Sequence, residues 1–247
     1  MSASVSRRFL FTGAVGGASI LFLSACSSGA SVVAAERTDY SGEVTFDSFR
    51  REGEYTAPTR TEPAKNAPVP TLPHNVDEHT VAGLYSTIGF IAASVTYAYQ
   101  TGDTGRNLLD GEYYKRLDTD SQPSSDYKIW SEAPDVRFTL KDPMPTREGD
   151  TYSWPAMMTA KLGSFLVSAG RAREIPAERR EQKYEGTMKA RYSDGVWRLN
   201  LEELLSDNTN SKSSGGLTGS GVSGVSFSSV TLVILGSLIG SSFLVGL

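Results

Sequence analysis

The sequence predicts an α+β domain in which N-terminal helices pack on one curved antiparallel sheet. Three observations carry that expectation. Beyond Asn75 the apolar residues recur with the 3.6-residue period of a helix. Beyond Asp126 the period falls to two, and Ser193-Asp194-Gly195 supplies a tight turn between two of those runs. Helices followed by a meander of strands, with no alternation between the two, indicate an α+β layer arrangement.

Each element has its own justification. Val81, Leu84, Tyr85, Ile88, Ala92, Val95 and Tyr99 mark one face of a long helix. Asn75 or Asp77 is the expected cap, and the acids Asp77 and Glu78 suit the positive end of the helix dipole. Thr101-Gly102 ends it, with the glycine in the left-handed conformation. Asp103 or Thr104 then caps a short second helix through Leu108 and Leu109, and residues 111–119 give a third short piece. Strands are expected at 135–142 and 161–169. Two more follow from the alternation of Tyr152, Trp154, Ala156, Met158 and Ala160, and of Tyr184, Met188, Ala190 and Tyr192. The strand returning from the Asp-Gly turn carries Trp197, Leu199 and Leu201 on one face. The dense charge of residues 170–183 reads as a solvated loop, with a partner-docking surface as the alternative. These elements define a globular domain at 73–207, an ordinary single-domain size.

The flanks have different chemistry. Residues 1–25 have the anatomy of an export signal: Arg7 and Arg8 form a positive start, an apolar stretch runs from Phe9 to Phe22, and no acid precedes Glu36. Leu23-Ser24-Ala25-Cys26 then matches a bacterial lipobox. Small side chains admit the signal peptidase, and the thiol takes a diacylglyceryl group before cleavage. Cys26 is the only cysteine in the 247 residues, so it is expected to be an anchor and neither a disulfide partner nor a nucleophile. The apolar stretch is short for a membrane span of about 20 residues. Ser6-Arg7-Arg8-Phe9-Leu10 also resembles a twin-arginine signal, which leaves the export route open between that pathway and the general one.

Residues 26–72 are rich in Pro, Thr and Ala and read as a disordered tether, because proline recurs too often for a helix or central strand. Within it "GEVTFDSF" (42–49) is the one apolar patch, suited to dock as an edge strand. Residues 208–224 are a Gly/Ser linker. Residues 225–247 contain no charge and are long enough to span a bilayer; a second membrane attachment is expected there, against the alternative of an interfacial or self-associating tail. Removing residues 1–25 leaves 22 basic against 28 acidic side chains. That acidity, without a basic cluster, argues against a nucleic-acid partner.

"YAYQTGDTGRNLL" (97–109), behind a proline-rich tether and an amphipathic helix, resembles an actinobacterial lipoprotein family of unknown function. Its Ala-Tyr-Ala-Thr-Gly-Asp-Thr-like motif is matched here by Tyr97, Ala98, Tyr99, Thr101, Gly102, Asp103 and Thr104. "DGVWRL", with Asp194, Gly195, Trp197 and Arg198, is similar to the family's closing hairpin. The resemblance covers about residues 66–205 and implies a nuclear-transport-factor-2-like cone, in which three helices close one side of a curved sheet. The family's cysteine pair is missing from "LLDGEYYKRLDTD" (108–120).

A cone can hold a ligand, and Tyr97, Tyr99, Asp103, Tyr113 and Trp154 are the candidates for lining it. Each has a plainer explanation: capping for Asp103, half-buried packing for the tyrosines, core packing for Trp154. Catalysis of an isomerase or dehydratase type needs a buried base facing an oxyanion donor. His74 and His79 are five residues apart and complete no metal pattern. No cofactor or metal is expected. The expectation is therefore a non-enzymatic lipoprotein on the extracytoplasmic face of the cell membrane, held by a diacylglyceryl-Cys26, binding an unidentified ligand or protein partner. The alternatives are an enzyme using the cone cavity and an assembly protein acting through its apolar tail.

Overall fold

The computed structural model describes residues 38–105, 107–118 and 128–206. The export signal with Arg7, Arg8, Leu23, Ser24, Ala25 and Cys26, the Gly/Ser linker and the apolar segment 225–247 lie outside the described residues. Within them the protein is a mixed α/β body whose sheets are antiparallel.

Short strands precede the first helix: β1 (Gly42–Glu43), β2 (Phe49–Arg50) and β3 (Val69–Pro70). The long helix α1 spans Val81–Thr101, followed by a 3-10 turn at Leu108–Gly111 and α2 (Glu112–Lys115). Then come β4 (Ile129–Ser131), β5 (Asp135–Leu140), β6 (Thr146–Glu148), β7 (Thr151–Lys161), β8 (Phe165–Ser168), β9 (Arg171–Glu174), β10 (Glu181–Ser193) and β11 (Val196–Asn200), with α3 (Glu202–Ser206) closing the series. The main sheet runs β1-β5-β7-β10-β11, with β6 also paired to β7; β4-β8-β9 form a second sheet and β2-β3 a ribbon.

The period-two runs build the main sheet as read. Trp154, Ala156, Met158 and Ala160 of β7 are buried, as are Tyr184, Met188 and Ala190 of β10. The two strands pair over eleven residues, from Glu181 opposite Lys161 to Arg191 opposite Thr151. Ser193 then pairs with Val196, leaving a two-residue loop whose Asp194 and Gly195 both have positive φ. That geometry matches the twist of the flanking strands. Gly186 on β10 marks a close approach: a Cβ there would meet the Glu203 carbonyl at 2.9 Å, so the glycine lets α3 lie against the strand.

The helix buries more than one stripe. Beyond Leu84, Ile88, Ala92, Val95 and Tyr99, it also buries Thr87, Phe90, Ile91, Ser94 and Ala98. The sheet covers one side and the N-terminal stretch covers another. Phe46 packs its ring 6.4 Å from Phe90 and rests against Gly89, while Ala64 N–H donates to the Gln100 carbonyl at 2.9 Å. The helix is long and apolar enough to cross a membrane, but it is the core helix of this body.

Several boundaries differ from the sequence reading. Residues 38–72 are not free of the domain. Gly42 and Glu43 pair with β5, Thr56 bridges Lys65, and Trp130 Nε1 donates to the Thr59 carbonyl at 2.8 Å. Proline does not prevent this, because an edge position asks nothing of its missing N–H; Pro70 sits on β3 opposite Phe49. The cap of α1 is Thr80, whose Oγ1 accepts from Gly83 N–H at 3.0 Å, and not Asn75 or Asp77. The expected second helix is a single 3-10 turn led by Asn107, with Leu109 and Asp110 at positive φ. Residues 170–183 are not a loop: they hold β9, a 3-10 turn and the start of β10. The four residues of β9 are nonetheless all exposed. Lys161 ends β7, so the strand expected at 161–169 is shorter, Phe165–Ser168.

Candidate functional site

The five residues singled out for a cavity do not form one constellation. Tyr99, Tyr113 and Trp154 are buried in the main core. Tyr113 stacks edge-on against Tyr114 at 4.9 Å, and Tyr114 donates its hydroxyl to the Thr104 carbonyl at 3.1 Å. Burial first, then the Tyr114 and Tyr99 hydroxyls, push the Tyr113 phenol well above its ordinary value. The Tyr113 hydroxyl is fully buried without a hydrogen-bond partner among the described residues. Trp154 is anchored elsewhere, through Nε1 to the Asp142 carbonyl at 2.8 Å.

Tyr97 and Asp103 sit at the C-terminal end of α1. Asp103 is exposed and caps no helix; its N–H donates to Thr101 Oγ1 at 3.2 Å. Tyr97 is half-buried, and burial, Asp103 and Glu52 raise its phenol while Arg50 opposes them. The motif at 97–104 therefore divides between core packing and a surface turn closed by Gly102 in the left-handed conformation.

Two groupings were invisible in the sequence reading, and both hold the 73–80 loop ahead of α1. The first is Arg116, whose side chain has no solvent exposure. Its guanidinium reaches Asp77 Oδ1 at 2.6 Å, pairs also with Glu112, and lies over the Phe90 ring at 5.8 Å. The second is a cluster of rings. His79 stacks on Tyr192 with centroids 4.3 Å apart and planes 3° apart, and it meets Tyr152 and Trp197 edge-on. Tyr192 donates its hydroxyl to the Asp77 carbonyl at 2.7 Å, and Trp197 Nε1 donates to the Glu78 carbonyl at 2.8 Å. Arg147 covers the Tyr152 ring at 5.2 Å. Chemically the arrangement is a clamp: three strands and one buried cation fix the loop that carries both histidines, with His79 against the rings. No local signal marks Arg116, because the exposed Lys115 stands between the same buried residues, Tyr114 and Leu117.

Among the described residues no Asp, Glu or His is buried, and no group of three or more His, Cys, Asp or Glu is placed to hold a metal ion. The fold and its sites thus define a mixed α/β domain with a well-filled apolar interior and its acids on the surface. Residues 53–203, more than half of the chain, match a family of unknown function, DUF6318, and the chain belongs to that family. Neither a curated protein nor a solved structure matches it.

Proposed function

We propose that this chain is a lipoprotein of the cell envelope, anchored by a diacylglyceryl group on Cys26, whose domain binds a ligand or a protein partner on the extracytoplasmic face. The observation that carries the reading is Leu23-Ser24-Ala25-Cys26: the only thiol of the chain stands where a lipobox requires it, behind an apolar stretch with Arg7 and Arg8 at its start. Segment 225–247 adds a second membrane attachment in this reading. The order of one long helix, two short helical turns and an antiparallel meander supports the finer likeness to a nuclear-transport-factor-2-like cone.

Binding is favoured over catalysis by where the titratable groups lie. An acid or base working at neutral pH needs a shifted environment, and burial is the commonest source. In the described domain the one fully buried charge is Arg116, and it is committed to two carboxylates. The family of isomerase- or dehydratase-like enzymes would need Asp103 or a histidine inside, and all three such residues are exposed.

Intact-mass measurement of the native product tests the anchor. The expected species begins at residue 26 and carries the mass of a diacylglyceryl group. In a chain lacking 222–247, Cys26→Ser is expected to move the protein from the membrane to the soluble fraction. An unmodified N-terminus elsewhere, with fractionation unchanged by the substitution, overturns the reading.

A further inference from the structure

Three large apolar side chains are exposed among the described residues, Phe49, Tyr55 and Leu72, and all three lie between positions 49 and 72. The rest of the described surface offers none. Phe49 pairs with Pro70, and the ladder continues where Thr71 N–H donates to the Ser48 carbonyl at 2.9 Å. Residues two apart along a ribbon share a face, so Leu72 stands on the same face as Pro70 and Phe49.

This face is held rigid from beneath. The Phe49 ring leans edge-on against Phe46 at 5.0 Å, and Phe46 leans on Phe90 of α1 at 6.4 Å. Phe49 is thus the outer member of an aromatic stack rooted in the core. The same stretch is close to neutral: Arg50 pairs with Glu52, Lys65 with Glu62 and Arg60 with Glu174, whereas the chain as a whole has more acids than bases.

Covalent geometry adds the occupant. Eleven residues, hence twelve Cα-to-Cα steps, separate Cys26 from Thr38, where the described body begins. At about 3.3–3.6 Å per extended residue, that chain reaches about 40 Å. A body held so close meets the bilayer at high effective concentration, so an affinity too weak to bind a free protein is sufficient. Aromatic and aliphatic side chains beside basic ones are what the headgroup boundary accommodates.

We propose that the Phe49–Leu72 face docks in the headgroup layer of the membrane bearing the anchor, with Phe49 and Leu72 as the inserted side chains. The inference rests on acylation of Cys26. Docking fixes which surface of the body faces the bilayer.

The test uses the acylated full-length protein in vesicles of phosphatidylglycerol and phosphatidylcholine, with and without brominated acyl chains. Phe49→Trp and, as a second position, Leu72→Trp introduce a reporter, and Arg171→Trp on exposed β9 is the control. The native tryptophans are buried and give the common background. Docking predicts that bromination removes at least half of the added emission at positions 49 and 72 and leaves that at 171 unchanged. Intact mass on the same sample separates the two readings. An unacylated chain sinks the anchor and the docking together. An acylated, vesicle-bound chain with equal quenching at all three positions overturns docking alone. So does a cross-linked dimer formed through position 49, which would mean that a second copy covers the face.

Discussion

Arg116 and Arg137 make almost the same contacts in two very different places. Arg116 pairs with Asp77 and Glu112 under the start of α1, and its side chain is wholly hidden from solvent. Arg137 pairs with Glu43 at 2.9 Å and Asp135 at 2.8 Å along the β1–β5 edge, and its side chain is 48% exposed. Coulomb attraction at contact does not separate them; the loss of water does. An exposed pair is screened and contributes about 0–1 kcal/mol. A cation stripped of its shell has given up several kcal/mol of hydration, and only its partners offset that. The difference teaches that the Arg137 contacts are optional and the Arg116 contacts are obligatory, although neither set is thereby a large net stabiliser.

The sharpest way to break this comparison is to remove both partners of the hidden cation. Asp77→Ala with Glu112→Ala is expected to cost about 3–5 kcal/mol, because the guanidinium then lies buried and unpaired. Denaturant unfolding followed by tryptophan emission measures it. Adding Arg116→Met to that background is expected to restore most of the loss, since an apolar chain over Phe90 needs no partner. A double variant that loses less than about 1 kcal/mol would mean that Arg116 reaches water, and the contrast with Arg137 would collapse.

The sequence was legible where period and turn chemistry are local. The alternation in β7 and β10, the Asp194-Gly195 turn and the face of α1 through Val95 and Tyr99 depend on neighbours within a few residues. Arg116 was illegible because its meaning comes from Asp77, 39 residues away, and nothing local separates it from Lys115, which is exposed. Composition misled at 38–72, where the prolines that forbid a helix proved compatible with an edge ribbon. The cap was misplaced for a related reason. Asn75 and Asp77 are the right residue types, but the clamp by Arg116, Tyr192 and Trp197 folds their loop aside and hands the role to Thr80. The candidate site fared worse than the fold. Tyr99 and Tyr113 share the core as neighbours, yet Tyr97 and Asp103 face the surface, because a helix end turns adjacent positions to opposite environments.

Thr80→Ala sharpens the comparison at the Arg116 end with an intermediate effect. Losing the bond from Gly83 N–H is expected to cost about 1 kcal/mol. If the loop is held chiefly by Arg116 and the rings, His79 should stay stacked on Tyr192, and its imidazole proton shifts by NMR should be unchanged. Large shifts would show that the cap, and not the hidden cation, organises the loop.

Glu132→Gln probes an exposed carboxylate that is better placed than those around Arg137. Glu132 Oε2 accepts from Ser164 N–H at 2.6 Å, and hydrogen bonding from Ser164, with lesser help from Arg180 and Arg60, holds its carboxyl below the usual range. A depressed folded-state value means that the stabilisation is present above the unfolded value of about 4.3 and is lost as pH falls through the folded one. Wild type should exceed the variant at pH 7 by less than the Thr80 effect, and the gap should close below about pH 4. A gap that widens in acid would reverse the sign and exclude the Ser164 bond as its source.

Arg137→Ala carries the smallest expected effect and the cleanest reading. Both of its carboxylates stay hydrated when it goes, so stability should change by no more than about 0.5 kcal/mol, and the change should vanish in 0.5 M salt. Screening distinguishes the two arginines independently of magnitude, because salt reaches the β1–β5 edge and does not reach Arg116. A salt-insensitive loss above 1 kcal/mol would mean that Arg137 works through packing of its aliphatic stem on β1. The N-terminal stretch would then be bonded to the sheet more firmly than its exposure implies.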